Sequence, residues 1–185
     1  MLVGAFAAQA FGVTRATFDV DIVVQLNSEQ ISALAEHFAP PRYYADVEMM
    51  NNSVQRGTMF NVIDTSGGVK ADLIPLSPDP ASQAAFARRV RQLVASDEGQ
   101  AWEMWCAHPT DIIIGKLSAW TEGRSAKHAD DIYALLGFAF SGLSSIPIDE
   151  GAVTDAATRL GDETLQMWKG VLARAQRDTR NFDTK

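Results

Sequence analysis

The hydrophobic pattern divides the chain into an early part that alternates strand and helix signals and a later part dominated by helical periodicity. "GAFAAQAF" is alanine-rich and carries no β-branched residue, which predicts a short helix closed by Gly12. "DVDIVVQL" is β-branched and predicts a strand on which Asp19 and Asp21 share one face while Val20, Ile22 and Val24 turn the other way into a core. In "SEQISALAEHF", Ile31, Leu34, Ala35 and Phe38 recur at helical spacing, with Ser28 as the expected N-cap and Pro40-Pro41 as the stop. "TMFNVIDTSGGVKADLIPL" reads as a β-hairpin turning at Ser66-Gly67-Gly68, with Lys70, Asp72 and Ile74 on one face of its second strand and Ala71 and Leu73 on the other.

From about Ser82 onward the reading is almost wholly helical. Phe86, Val90, Leu93 and Val94 form an apolar helical stripe, and Arg88, Arg89 and Arg91 lie opposite it, as a solvated face or, in the second reading, an RNA or acceptor contact. Pro109-Thr110 opens a further helix along which Ile113, Leu117 and Trp120 align, and "KHADDIYALL" and "LQMWKGVLARA" supply two more. Strands first and helices afterwards predict an α+β fold: a small mixed sheet over residues 1–80, followed by a helical layer over 81–185 packed on it.

Composition narrows the class. The 185 residues are 46 % apolar and 21 % charged, ordinary for a globular chain. A net charge of −7 argues against a broad nucleic-acid surface, which would be basic. The single Cys106 excludes an internal disulfide and fits a reducing, cytoplasmic setting. The apolar opening lacks the basic flank of a signal peptide, and "IYALLGFAFSGL" is too short to span a bilayer.

The chemistry concentrates in the acids. Asp19 and Asp21 stand about 7 Å apart at Cα on one strand face, and Asp72 sits mid-strand on the hairpin between apolar neighbours. Ionised carboxylates in such places need a partner or a metal. Three of them on adjacent strands would suit Mg²⁺ or Mn²⁺, which take carboxylate, water and phosphate oxygens. Two such ions about 4 Å apart can activate a hydroxyl and stabilise a leaving phosphate. A D-x-D pair alone equally well caps a strand or forms an Asx turn; what precedes it carries more weight. In "VGAFAAQAFGVTRATFDVDIVV" a glycine enters a helix, then come Arg15, Thr17 and the acid pair. A helix start opened by glycine offers N–H groups to phosphate, and Arg15 can add a charge-assisted contact.

This order resembles the nucleotidyltransferase superfamily, with its polymerase-β-like fold, and is most similar to the small bacterial abortive-infection toxins and minimal nucleotidyltransferases. Gly4, Arg15, Thr17, Asp19 and Asp21 match the first motif and Asp72 the third acid. "PTDIIIGKLSAWTEGRSAKHADDIYALL" resembles the family's helical segment, with Lys116 in its middle and Asp130 or Asp131 before the last apolar run. The resemblance spans about residues 3 to 136. It implies transfer of NMP from an NTP to a hydroxyl of a protein, a tRNA 3′ end or a small molecule. Asp19, Asp21 and Asp72 would act as catalytic metal ligands for Mg²⁺ or Mn²⁺, and Gly4, Ala5, Arg15, Thr17 and Lys116 would bind the nucleotide.

The chain departs from the family at two points. Position 5 is Ala where relatives carry Gly or Ser, and only three residues precede Gly4. The second departure suggests a truncated start and an open sheet edge beside Val3, where the chain would dimerise or bind triphosphate weakly. Both departures keep a second reading alive: a degenerate binding module acting with a cognate toxin or antitoxin protein. A third is an antibiotic nucleotidyltransferase with an acidic pocket for a cationic acceptor. Lys116 either snorkels to solvent or reaches a phosphate. His37, His108 and His128 show no zinc-ligand spacing. Trp102, Trp105, Trp120 and Trp168 are expected on helices as core or interface residues.

Overall fold

A computed structural model describes residues 1–15, 17, 19–95 and 100–182. The elements run α1 (Gly4–Gln9), β1 (Asp19–Val24), α2 (Ser28–His37), β2 (Tyr43–Tyr44), α3 (Val47–Arg56), β3 (Phe60–Asp64), β4 (Val69–Pro75), α4 (Pro80–Ala87), β5 (Val90–Ala95), β6 (Ala101–Cys106), α5 (Pro109–Gly123), α6 (Ala126–Phe140), α7 (Glu150–Leu160) and α8 (Asp162–Phe182). The fold is α+β, with a small mixed sheet and C-terminal helices.

Four strands form one sheet in the order β1-β4-β3-β2. The expected hairpin is β3–β4, antiparallel, with Asn61 opposite Asp72. Its second strand runs parallel to β1, and the register sets Asp19 against Lys70 and Asp21 against Asp72. In a parallel pair partnered residues point to one face, so β1 and β4 together display Asp19, Asp21, Lys70 and Asp72 on a single surface. The opposite face of β4 carries Ala71 and Leu73 into an apolar cluster with Ile31, Met50 and Phe60 from α2, α3 and β3. Helix α2 begins at Ser28, the residue expected as its cap, so the cap lies one residue earlier. Asn27 caps it, accepting from the Gln30 amide at 2.9 Å while the Gln30 side chain accepts from the Asn27 amide at 3.0 Å, a reciprocal pair that a serine at 28 could not close from inside the helix.

The segment after Ser82 departs from the all-helical expectation. Helix α4 ends at Ala87, and Val90, Leu93 and Val94 lie on β5, antiparallel to β6. The helical spacing of that stripe is a coincidence. Val90 and Val94 turn inward with Met104 and Cys106, whereas Leu93 points out and is 70 % exposed. Trp102 and Trp105 are therefore strand residues, both partly exposed, and not helical ones. The arginine run is divided as well. Arg88 caps α4 and pairs with Asp111, Arg89 stacks over Phe86 and Trp105, and Arg91 reaches Glu103 across the hairpin.

The edge beside Val3 is closed. Residues 1–3 lie between β1 and β6. The Val3 amide donates to Asp21 O at 2.9 Å and the Val23 amide to Met1 O at 2.8 Å, while the Leu2 amide donates to Trp105 O at 2.7 Å and the Ala107 amide to Leu2 O at 2.8 Å. Leu2 is a bridge partner of both Ile22 and Cys106 and is buried. This short extended segment stitches the two-stranded hairpin to the main sheet, so backbone groups expected to be open there are paired.

The four C-terminal helices pack together, and α5 and α6 pack on α1. Their shared core includes Phe11, Leu117, Ile132, Leu136 and Trp168, and the Trp168 indole N–H donates to Thr154 Oγ1 at 2.9 Å, satisfying the one polar atom that ring buries. Among the described residues no helix is long and apolar enough to cross a membrane.

Candidate active site

A cleft of about 950 Å³ opens between the β1–β4 face and the helices α4, α5 and α7. Gly4, Ala5, Arg15, Thr17, Asp19, Asp21, Asp72 and Lys116, the eight residues singled out by the sequence, all line it. Topology explains the convergence. Strands β1 and β4 carry the acids, α1 returns Gly4 onto the same strand end, and α5 brings Lys116 over the top.

Three carboxylates share the floor. Asp72 is buried, Asp21 is half-buried and Asp19 is exposed. The Asp21 carboxyl is pushed above its ordinary value, first by burial and then by the charges of Asp72 and Asp19, with Lys116 and Lys70 opposing. Asp72 is already engaged. Lys70 Nζ stands 3.0 Å from its Oδ2, and the Asn61 amide donates to its Oδ1. The Lys70 ammonium is held above its ordinary value, first by that hydrogen bond. Both partners were within reach of the sequence: Lys70 shares the face of Asp72, and counting back across the Ser66-Gly67-Gly68 turn places Asn61 opposite it.

Gly4 adopts φ +67°, a left-handed conformation that costs an alanine about 1–2 kcal/mol. A methyl group there would also run into the Asp21 carboxylate. Glycine is therefore needed twice, for the turn and for the close approach of the α1 start to Asp21. One consequence is electrostatic. An anion drawn to the α1 amides would lie beside a carboxylate, an arrangement that needs a cation between them.

Lys116 does not snorkel. It is 5 % exposed, with Nζ 2.5 Å from Asp131 Oδ2. Arg15 reaches the same carboxylate, Nε to Oδ1 at 3.3 Å and Nη2 to Oδ2 at 3.2 Å. Burial alone would raise the Asp131 carboxyl, but the Arg15 and Lys116 hydrogen bonds outweigh it and hold it below its ordinary value. Of the two acids in "HADDIY", Asp131 is thus the buried partner and Asp130 is exposed. Thr17 donates from Oγ1 to the Asp19 carbonyl at 3.3 Å.

The histidines take separate places. His108 caps α5, its Nδ1 accepting from the Thr110 amide at 3.3 Å. His128 lines the cleft. Its Nδ1 is buried with no hydrogen-bond partner among the described residues, and the ring is held below its usual value, first by burial and next by Lys116 and Lys127.

The floor suits a hard divalent cation in part. Asp19 and Asp21 offer two carboxylates on one strand face, and Mg²⁺ is commonly held by one or two carboxylates with water and phosphate completing its shell. The crowding that raises Asp21 is what a cation would relieve. Asp72 is the less available ligand, because Lys70 and Asn61 occupy its oxygens. Among the described residues no group of three or more His, Cys, Asp or Glu side chains is arranged as a ready metal cage.

The chain matches no protein-family model, and it has no match among curated proteins. The chemistry of the cleft is read from its own residues.

Proposed function

We propose that the chain is a nucleotidyltransferase, moving NMP from an NTP to a hydroxyl acceptor. The observation that carries this reading is the β1–β4 register, which puts Asp21 opposite Asp72 with Asp19 two residues along the same face, at the floor of a cleft that Gly4 and Lys116 also line. Asp19 and Asp21 would hold a divalent cation, Mg²⁺ or Mn²⁺. When bound, such an ion supplies positive charge to the triphosphate and offsets charge that develops as the leaving phosphate departs.

The protein's own contributions follow from the geometry. The α1 start, with no Cβ at Gly4, lets the backbone come close to a phosphate oxygen. Arg15 and Lys116, clamped by Asp131, present fixed positive charge from the α5–α6 side at no reorganisation cost. The acceptor oxygen attacks the α-phosphorus, the bond to the β-phosphate oxygen breaks, and pyrophosphate leaves. The acceptor's proton passes to water in the cleft. Ala5 removes a hydroxyl from the phosphate side, which leaves backbone amides as the contacts there.

The acceptor is a protein, a tRNA 3′ end or a small hydroxylated molecule, and a cognate toxin or antitoxin protein would be the partner in a paired system. A cationic antibiotic acceptor finds less support, because the far wall of the cleft carries Arg88, Lys127 and Arg159 beside Asp111 and Asp155 and is not an acidic pocket. The alternative of a catalytically silent binding module is favoured by one observation, the engagement of Asp72 by Lys70 and Asn61.

One experiment separates the two. The protein is incubated with Mg²⁺, cell lysate and each NTP labelled at either the α- or the γ-phosphate. Incorporation of α-label only, lost in Asp21→Asn, is the expected result. Incorporation of γ-label would mean phosphoryl transfer instead, and no incorporation from any NTP, with NTP still bound, would favour the binding module.

A further inference from the structure

Lys70 has no role in the mechanism above, yet it stands among the three acids. It faces Asp19 across the β1–β4 register, and its Nζ lies 3.0 Å from Asp72 Oδ2. The other Asp72 oxygen accepts from Asn61. The Asp72 carboxylate thus has both oxygens occupied by protein groups, whereas among the described residues no hydrogen bond or ion pair engages the side chains of Asp19 and Asp21.

Charge balance gives this arrangement a consequence. Three carboxylates and one ammonium leave a net charge of −2 on the floor itself, before a nucleotide adds its own. The nearby Asp131 does not add to that demand, since Arg15 and Lys116 already answer it. A second divalent cation would have to sit against the Lys70 ammonium and displace it from Asp72. Repulsion between like charges at contact distance in a partly desolvated cleft opposes that displacement.

We propose that Lys70 takes the place of one divalent cation, so that the chain holds one Mg²⁺ or Mn²⁺ per nucleotide, at Asp19 and Asp21, with the ammonium on Asp72 as a fixed second positive charge. The inference rests on the reading of the floor as a cation–nucleotide site. Lys70 is partly exposed, its side chain retaining 37 % of its accessibility, so replacing it does not open a hole in the core.

The test counts ions rather than turnover. Wild-type protein, Lys70→Gln and Lys70→Arg are each saturated with α,β-methylene ATP, with the GTP, CTP and UTP counterparts in parallel. Bound Mn²⁺ per chain is then measured by equilibrium dialysis and electron paramagnetic resonance, and circular dichroism confirms that each variant is folded. The expected result is one Mn²⁺ per chain for wild type and Lys70→Arg, with the spectrum of an isolated ion, and two for Lys70→Gln, with the broadening of a spin-coupled pair. Two ions in wild type, or one in Lys70→Gln, would overturn the role of Lys70 and leave the nucleotidyltransferase reading standing. No protein-dependent Mn²⁺ in folded wild type would remove that reading and this inference with it.

Discussion

Removing Asp131 tests how the helical layer is fixed to the site. Its carboxylate is 3 % exposed, as is little more of the Lys116 side chain at 6 %, and Arg15 closes the other side. Asp131→Ala leaves the Lys116 ammonium buried without its counter-ion. Breaking a buried pair from one side costs about 3–5 kcal/mol. For a chain of this length each kcal/mol moves Tm by roughly 2–4 °C, so a drop of about 6–20 °C is expected. Arg15→Ala, at a side chain 41 % exposed, should cost only about 1 kcal/mol. Replacing both buried partners, as Lys116→Met with Asp131→Leu, should restore most of the stability, since an apolar pair of similar volume has no desolvation penalty to offset. Urea denaturation with thermal melts gives all three values against wild type. The pH dependence has a definite sign. A carboxyl held low in the folded state contributes stability that is present above its unfolded value, near pH ~3.9, and is lost as pH falls through the folded value. The gap between wild type and Asp131→Asn should therefore be full at neutral pH and close in acid. A cost below about 1 kcal/mol for Asp131→Ala, or a gap that widens in acid, would refute the buried-pair argument.

Three further outcomes follow from the site. Gly4→Ala should cost about 1–2 kcal/mol from its left-handed backbone and weaken nucleotide binding by displacing Asp21, both measurable by melting with and without NTP. Asp21→Asn should melt at or above the wild-type temperature in chelator, because it removes a crowded carboxylate whose folded value is raised; that penalty is present above the raised value and relieved as pH falls through it. The same variant should lose the upward Tm shift that millimolar Mg²⁺ with NTP gives the wild type. Trp168→Ala, at a fully buried ring, should cost about 3–5 kcal/mol in urea denaturation without altering Mn²⁺ stoichiometry in the folded protein.

Local signals carried the acid floor. Period-two alternation put Asp19 with Asp21 and Lys70 with Asp72, and a glycine-rich turn fixed the β3–β4 hairpin, so the face was legible before any long-range contact was known. The parallel pairing of β1 with β4 and the bridging of Leu2 to Cys106 were not legible, because each is decided by packing between segments distant in the chain. The β5 strand was masked by a different cause. Phe86, Val90, Leu93 and Val94 satisfy helical spacing, and only pairing with the Ala101–Cys106 strand selects the alternation that leaves Leu93 in solvent. Residues 96–99, which join those strands, lie outside the described residues. Lys116 was singled out by the sequence and lines the cleft, but its burial was not legible, since its partner Asp131 stands a helix away.

Whether the β1–β4 acids form a nucleotide site is decided most directly by calorimetric titration of α,β-methylene NTPs into the full chain, with Mg²⁺ and with chelator. Binding in Mg²⁺ that is lost in chelator, in Asp19→Asn and in Asp21→Asn is the predicted result. Equal binding in chelator and in both variants, or no binding of any of the four nucleotides to folded protein, would contradict it.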